Sequence, residues 1–258
     1  MNETTRDHLR KTRESRKKLL EQNIELLDEN RVAPERLPSV IASVARDATD
    51  IGFLSFLLND ETAGWEWFET AGEYRRREYD ARREATGTSS PIVTTLYHGL
   101  VATILANDGS DAYFCEHLAE VDVADAETDE QFVLTALAYE ICTLLDLERT
   151  GSSPDKAAVE ARLDAGAFVY DDIDKRPLRR AEFACLDALQ NEDAAGATDA
   201  IETVLDFHRE EVVTGDHELV TDYYCTPATL LCVLATRVGV PIDIDSRYVP
   251  TAVGEGAP

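Results

Sequence analysis

The chain has 258 residues, with 51 Asp+Glu against 25 Lys+Arg, a formal net charge of −26 and 44% hydrophobic residues. That apolar share excludes a disordered polymer, and a chain of this length buries roughly 70–75% of its unfolded surface, enough for a full core. No apolar run reaches the ~18 residues of a membrane span, and the charged start Met1-Asn2-Glu3-Thr4-Thr5-Arg6 does not read as a signal peptide, so the expected address is the cytoplasm.

Of the cations, 20 are Arg and 5 are Lys, while Asp (25) nearly equals Glu (26). An acid-saturated, Lys-poor surface is what a halophilic, haloarchaeal-type protein needs, because carboxylates hold water when salt screens every other charge. On this reading the acidity describes the solvent and not a partner. A phosphate backbone meets repulsion on such a surface, so neither nucleic acid nor membrane is expected as a partner.

The first thirty residues are charged and helix-forming, with sparse apolar teeth at Leu9, Leu19, Leu20, Ile24 and Leu27. Arg6 to Lys18 carries seven cations, the one basic island of the chain; it reads as a solvated helix face or as a docking arm for an acidic partner. After Pro34 and Pro38, Ser39 to Leu58 places Val40, Ile41, Val44, Ala48, Ile51, Leu54, Leu57 and Leu58 near a 3.6 period and predicts an amphipathic helix. Gly64 starts another helix running towards Arg83, in which Trp65, Trp67, Phe68 and Tyr74 are expected in the core. There Arg75-Arg76-Arg77 and Arg82-Arg83 alternate with Glu73, Glu78, Asp80 and Glu84, a pattern that favours ion pairs within the helix over an anion-binding patch.

A helix–acidic turn–helix unit then recurs. Ile92–Ala106 returns through Ala112–Val121, Gln131–Leu147 through Asp155–Ala165, and Arg180–Leu189 through Ala197–His208. Units of roughly 30–40 residues predict an all-α fold of helical-hairpin repeats, α-solenoid-like, in a single domain over 1–258. Within it, 1–33 is the charged N-terminal helix and 239–258 a short extended tail. Gly239 ends the helix Thr229–Val238 and Pro241 prevents its continuation; Val240 to Asp245 alternates with period two.

Five cysteines, at 115, 142, 185, 225 and 232, form no CxxC and no zinc-finger spacing with histidine, and are expected as buried free thiols in a reducing compartment. No GxSxG, GxxxxGK[ST], GxGxxG or HExxH motif occurs. His208 and His217 flank Glu210, Glu211 and Asp216, an imaginable metal cluster, but nine residues between the two histidines is not a one-face helical spacing. No enzyme, cofactor or metal is therefore expected.

The C-terminal fifty residues carry the most specific pattern. A helix ending in His208-Arg209 is followed by the small-residue helix Pro227 to Ala235 and by the tail Gly239-Val240-Pro241-Ile242-Asp243-Ile244-Asp245-Ser246-Arg247-Tyr248-Val249-Pro250. This arrangement resembles the Immunity 49 family, whose tail reads Gly-x-Pro-(apolar)-x-(apolar)-x-Ser-x-Tyr-(apolar)-Pro; the stretch Leu100 to Leu118 is also similar to that family's middle part. The aromatic that often follows the His-Arg pair is replaced here by Glu210 and Val212. The resemblance implies a cytoplasmic, all-helical immunity protein of a polymorphic toxin system, which binds a cognate toxin domain and occludes it without turnover. His208, Arg209, Gly239, Pro241, Ser246, Tyr248 and Pro250 are then expected to be scaffold more than contact surface. The alternatives are a helical scaffold or adaptor for another cytoplasmic partner, and a metal-dependent hydrolase using His208 and His217.

Overall fold

Long runs of helix formers, broken by Pro and by residues that tolerate positive φ, make this chain all-α. A computed structural model describes residues 3–86, 92–107, 109–118, 121, 126, 128–147, 154–166, 168–170, 173–213 and 220–254. They form helices α1 (Glu3–Asp28), α2 (Leu37–Leu57), α3 (Glu61–Thr86), α4 (Ile92–Ala106), α5 (Asp111–Leu118), α6 (Asp129–Leu144), α7 (Lys156–Ala165), α8 (Arg176–Gln190), α9 (Ala194–Phe207), α10 (Thr226–Arg237) and α11 (Thr251–Gly254). The chain divides into two compact units, one over Met1–Ser110 and one over Asp111–Gly256.

In the first unit α1 packs on α2, α2 on α3 and α3 on α4. Leu20 and Leu27 of α1 enter the same core as Ile41, Val44, Ala48 and Ile51 of α2, Ala71 and Tyr74 of α3 and Ala102 of α4. The α2–α3 contact is closest where glycine removes a side chain. A Cβ on Gly52 would stand 2.5 Å from the Phe68 ring and one on Gly64 would stand 2.6 Å from the Phe56 ring. Phe68 therefore reaches Phe53 edge-on, with ring centroids 5.0 Å apart. Phe68 and Tyr74 are buried as expected, while Trp65 and Trp67 are half-buried.

The basic island of α1 is divided: Arg10, Lys11 and Lys18 are exposed, as a solvated face would be, while Arg13, Arg16 and Lys17 turn to the chain itself. Arg16 donates to Asp47 at 2.8 Å and to Asp50 at 2.7 Å, Arg13 donates to Asp60 at 3.0 Å, and the Lys17 ammonium lies 6.0 Å from the Trp67 ring centroid. The acidic partner of these cations is the chain's own α2 and the turn that follows it. Asp47 is buried, so the Arg16 pair neutralises a carboxylate that would otherwise lie uncompensated in the core.

The second unit holds α8 against α9, with α6 and α10 beside them, and α7 on α6. Thr128 caps α6 by accepting from the Gln131 amide at 3.1 Å, Asp155 caps α7 and Asp193 caps α9. A two-residue antiparallel ladder, β1 (Val169–Tyr170) with β2 (Ile173–Asp174), precedes α8 and carries too few residues to leave a period in the sequence.

Cys115 of α5 and Cys142 of α6 form a disulfide, with Cα atoms 5.9 Å apart. This corrects the expectation of five free thiols, which stands only for the buried Cys185, Cys225 and Cys232. The helix packing that brings two residues 27 apart into bridging range is tertiary information.

Helix ends share one device. Asn30, Asn59, Asp146, Glu192 and Gly239 all have positive φ, and the amide after each returns to a carbonyl five residues back. Examples are Arg31 to Leu26 at 2.9 Å, Asp60 to Ser55 at 2.9 Å and Val240 to Ala235 at 3.0 Å. No helix among the described residues is long and apolar enough to cross a membrane.

Candidate functional site

Some of the residues that carry the resemblance, His208, Ser246 and Tyr248, come together in the second unit. After α9 the backbone widens into a single π turn, His208–Val212, closed by the Val213 amide on the His208 carbonyl at 3.1 Å. His208 thereby turns inward and is 5% exposed, while Arg209, Glu210 and Glu211 stay exposed. Arg209 pairs with Asp206 and with Glu202 of α9, which places it on the helix surface.

The tail comes back to this histidine. Gly239 has φ 74° and ends the helical run, as expected from sequence. From Val240 to Tyr248 the burial alternates: Val240 and Tyr248 are buried, Ile242, Ile244 and Ser246 half-buried, and Pro241, Asp243, Asp245 and Arg247 exposed. The period-two pattern is thus extended chain laid on the helices, without a sheet partner among the described residues. Ser246 Oγ accepts from the Tyr248 amide at 3.3 Å, and the Tyr248 carbonyl accepts from the Cys225 amide at 2.8 Å, just before α10. The Tyr248 ring stands edge-on to His208 with centroids 5.0 Å apart, and Pro250 is buried beyond it.

Burial holds the His208 imidazole below its ordinary pKa, with the Arg209 charge acting in the same direction; a hydrogen bond with the Thr221 backbone and the Asp222 charge oppose them. Its Nε2 is buried without a partner among the described residues. Nearby, Cys185, Cys225 and Cys232 are pushed up to about 12 by burial. At neutral pH these are thiols, not nucleophilic thiolates, so their role here is packing.

Of the imagined metal set, His217 and Asp216 lie outside the described residues, and His208 faces the core while Glu210 and Glu211 are exposed. Among the described residues no group of three or more His, Cys, Asp or Glu is arranged to hold a metal ion. Sequence reasoning named His208, Arg209, Gly239, Pro241, Ser246, Tyr248 and Pro250 through the resemblance; the structure brings His208 and Tyr248 into contact and leaves Arg209 and Pro241 exposed. It missed Asp222 and Cys225, which carry no motif, and Asp111 of α5, whose carboxylate takes the Arg237 guanidinium of α10 at 2.7 Å. Comparison of the chain with protein-family models, with curated proteins and with solved structures finds no match.

Proposed function

We propose that this protein is a toxin-neutralising immunity protein, acting in the cytoplasm of a halophile by stoichiometric occlusion of a cognate toxin domain, without turnover. One observation carries the reading. Of the residues that resemble the Immunity 49 pattern, His208 and Tyr248, forty positions apart, stand in ring contact, Ser246 accepts from the Tyr248 amide and Pro250 is buried, as parts of a scaffold would be, while Arg209 and Pro241 are exposed. In that role His208, Gly239, Ser246, Tyr248 and Pro250 fix the helices, and the toxin-contacting surface lies elsewhere on the molecule. The all-α framework with its inert thiols suits a binding protein whose work is done by surface shape and charge.

The test is affinity capture of the tagged protein in high salt, followed by co-expression with the captured partner. A single near-stoichiometric partner that contains a toxic domain, and whose toxicity the protein abolishes at equimolar expression, is the expected outcome. Several housekeeping partners and no rescue would replace the reading with an adaptor. A stoichiometric metal retained on purification would favour the hydrolase.

A further inference from the structure

Helix α1 turns its cations in two directions. Arg13 and Arg16 reach Asp60, Asp47 and Asp50, and Lys17 lies against Trp67, so these are committed inside the first unit. Lys11 and Lys18 are exposed and form no ion pair among the described residues. Seven positions separate them, close to two helical turns, so both side chains leave one face of the helix about 10 Å apart along its axis. Ser15 and Gln22 continue that face, and with Leu19 they line one shallow surface groove. No carboxylate of the described residues lines it.

Two features set this face apart from the rest of the chain. Lysine is scarce, yet three of the five lysines fall between Lys11 and Lys18, and Arg6 to Lys18 holds seven cations against two acids on a chain of net charge −26. Those two acids are already taken, Asp7 by Arg10 at 3.0 Å and Glu14 by Arg13 at 3.6 Å, while Glu21, one turn beyond Lys18, lies outside the groove. Leu19 is 51% exposed, more than any other large hydrophobic side chain among the described residues. Because Leu9, Leu20 and Leu27 anchor the opposite side of α1 in the core, the face is a fixed platform and not a loose arm.

We propose that this face of α1 docks an acidic amphipathic helix of a partner protein, with carboxylates on Lys11 and Lys18 and an apolar side chain covering Leu19. Charge complementarity selects the partner: carboxylates are repelled by the bulk of this chain and attracted here. A helix fits because the groove follows α1 for about four turns from His8 to Gln22 and repeats with the helical period. A second copy of this chain offers acids but no further large apolar side chain as exposed as Leu19 among the described residues. A nucleic acid would run beyond the groove into acidic surface, and one leucine is too little to hold a helix in a bilayer. The inference concerns a surface of the first unit and does not depend on whether the partner is a toxin.

A synthetic helical peptide of about three heptads, with leucine along one face and glutamate on either side of it, tests this by fluorescence anisotropy against the full chain. The titration is run in the lowest KCl concentration that keeps the helical circular dichroism intact, because salt screens exposed charges. Binding of one peptide per chain is expected, weakened about fivefold to tenfold by Lys11→Glu and by Lys18→Glu, and about threefold or more by Leu19→Ser. All three side chains are exposed, so these variants keep the fold. Lys156→Glu makes the same change of net charge at an exposed lysine of α7 and is expected to bind within about twofold of the wild type. Absence of binding at millimolar peptide, wild-type affinity in Lys11→Glu and Lys18→Glu, or an equal loss in Lys156→Glu would each overturn the docking face. Leu19→Ser without effect would overturn its apolar contact. Dimerisation of the chain alone that Lys18→Glu abolishes would replace the partner with a second copy, and tighter binding of anionic vesicles than of the peptide would replace it with a membrane.

Discussion

The two units solve the same problem, holding helices together under a heavy negative charge, with ion pairs in both and a covalent bridge in the second alone. In the first, the ties are ionic. A cationic first helix reaches across to Asp47, Asp50 and Asp60, and Glu78 gathers two arginines. The second has ionic ties as well, Arg237 of α10 to Asp111 of α5 and Arg162 of α7 to Asp129 of α6, and adds to them a covalent bridge between α5 and α6, buried thiols, and an extended tail that bonds back at the start of α10. Ionic ties weaken with salt only where solvent reaches them, so the partly buried Arg16–Asp47 pair persists in brine that screens an exposed pair such as Arg10–Asp7. The contrast therefore predicts that reductant acts on the second unit, while loss of the Arg16 guanidinium acts on the first.

The largest expected effect is that of the disulfide. Joining residues 27 apart restricts the unfolded chain by about 3.5 kcal/mol in the chain-entropy account. Reduction, or the double replacement Cys115→Ala/Cys142→Ala, should lower the stability of the second unit by that order. Hydrogen exchange resolved by segment should show faster opening in α5 and α6, with α2 and α3 unchanged. Alkylation of the unfolded, unreduced protein should label three cysteines; five labelled cysteines would remove the covalent half of the comparison.

Next comes Arg16→Ala, which strands the buried Asp47. Breaking a fully buried pair costs about 3–5 kcal/mol, and because Arg16 is about a third exposed the expected loss is nearer 2 kcal/mol. Asp47→Asn in the same background should recover part of it, since the stranded charge is then gone. A loss below about 0.5 kcal/mol in denaturant melts would mean that α1 is held by its leucines alone.

What was legible in the sequence followed from local rules. The 3.6 period of Val44, Ala48 and Ile51 placed α2, and Gly239 before Pro241 placed a helix end. The alternation from Val240 to Asp245 gave an extended tail but could not say what it lies on. The disulfide and the capture of Arg16 by α2 were not legible, because each joins residues from different helices whose approach is set by packing. Asn30 and Asn59 were readable as left-handed helix ends and went unread, since asparagine marks that conformation less sharply than glycine. In the candidate site, the motif residues were found through the resemblance, whereas their neighbours Asp222 and Cys225 belong to no pattern.

Gly239→Ala isolates the tail. No atom lies within 4 Å of the added Cβ, so the whole cost is the left-handed φ of 74°, about 1 kcal/mol. If the tail is pinned independently by the Cys225–Tyr248 bond, the loss should appear as a small fall in melting temperature with the His208–Tyr248 contact retained. Loss of that contact, read from the His208 ring resonances, would make Gly239 the determinant of tail position.

The smallest effect, and the one most specific to the second unit, is acid sensitivity through His208. Burial lowers its folded pKa, so below the ordinary imidazole value near 6.5 the unfolded state takes up a proton that the folded state refuses. Stability contributed by the neutral ring is fully present above that value and is lost as pH falls through the window beneath it. His208→Leu removes the titration and should flatten this part of the stability–pH curve, at the cost of the hydrogen bond with Thr221. Because Asp222 and that bond both favour the protonated ring, Asp222→Asn should depress the imidazole further and steepen the loss. An Asp222→Asn curve that is unchanged or shifted the other way would mean that the Asp222 charge does not act on the ring, and the electrostatic account of the tail-docking site would then have to start from burial, Arg209 and the Thr221 bond alone.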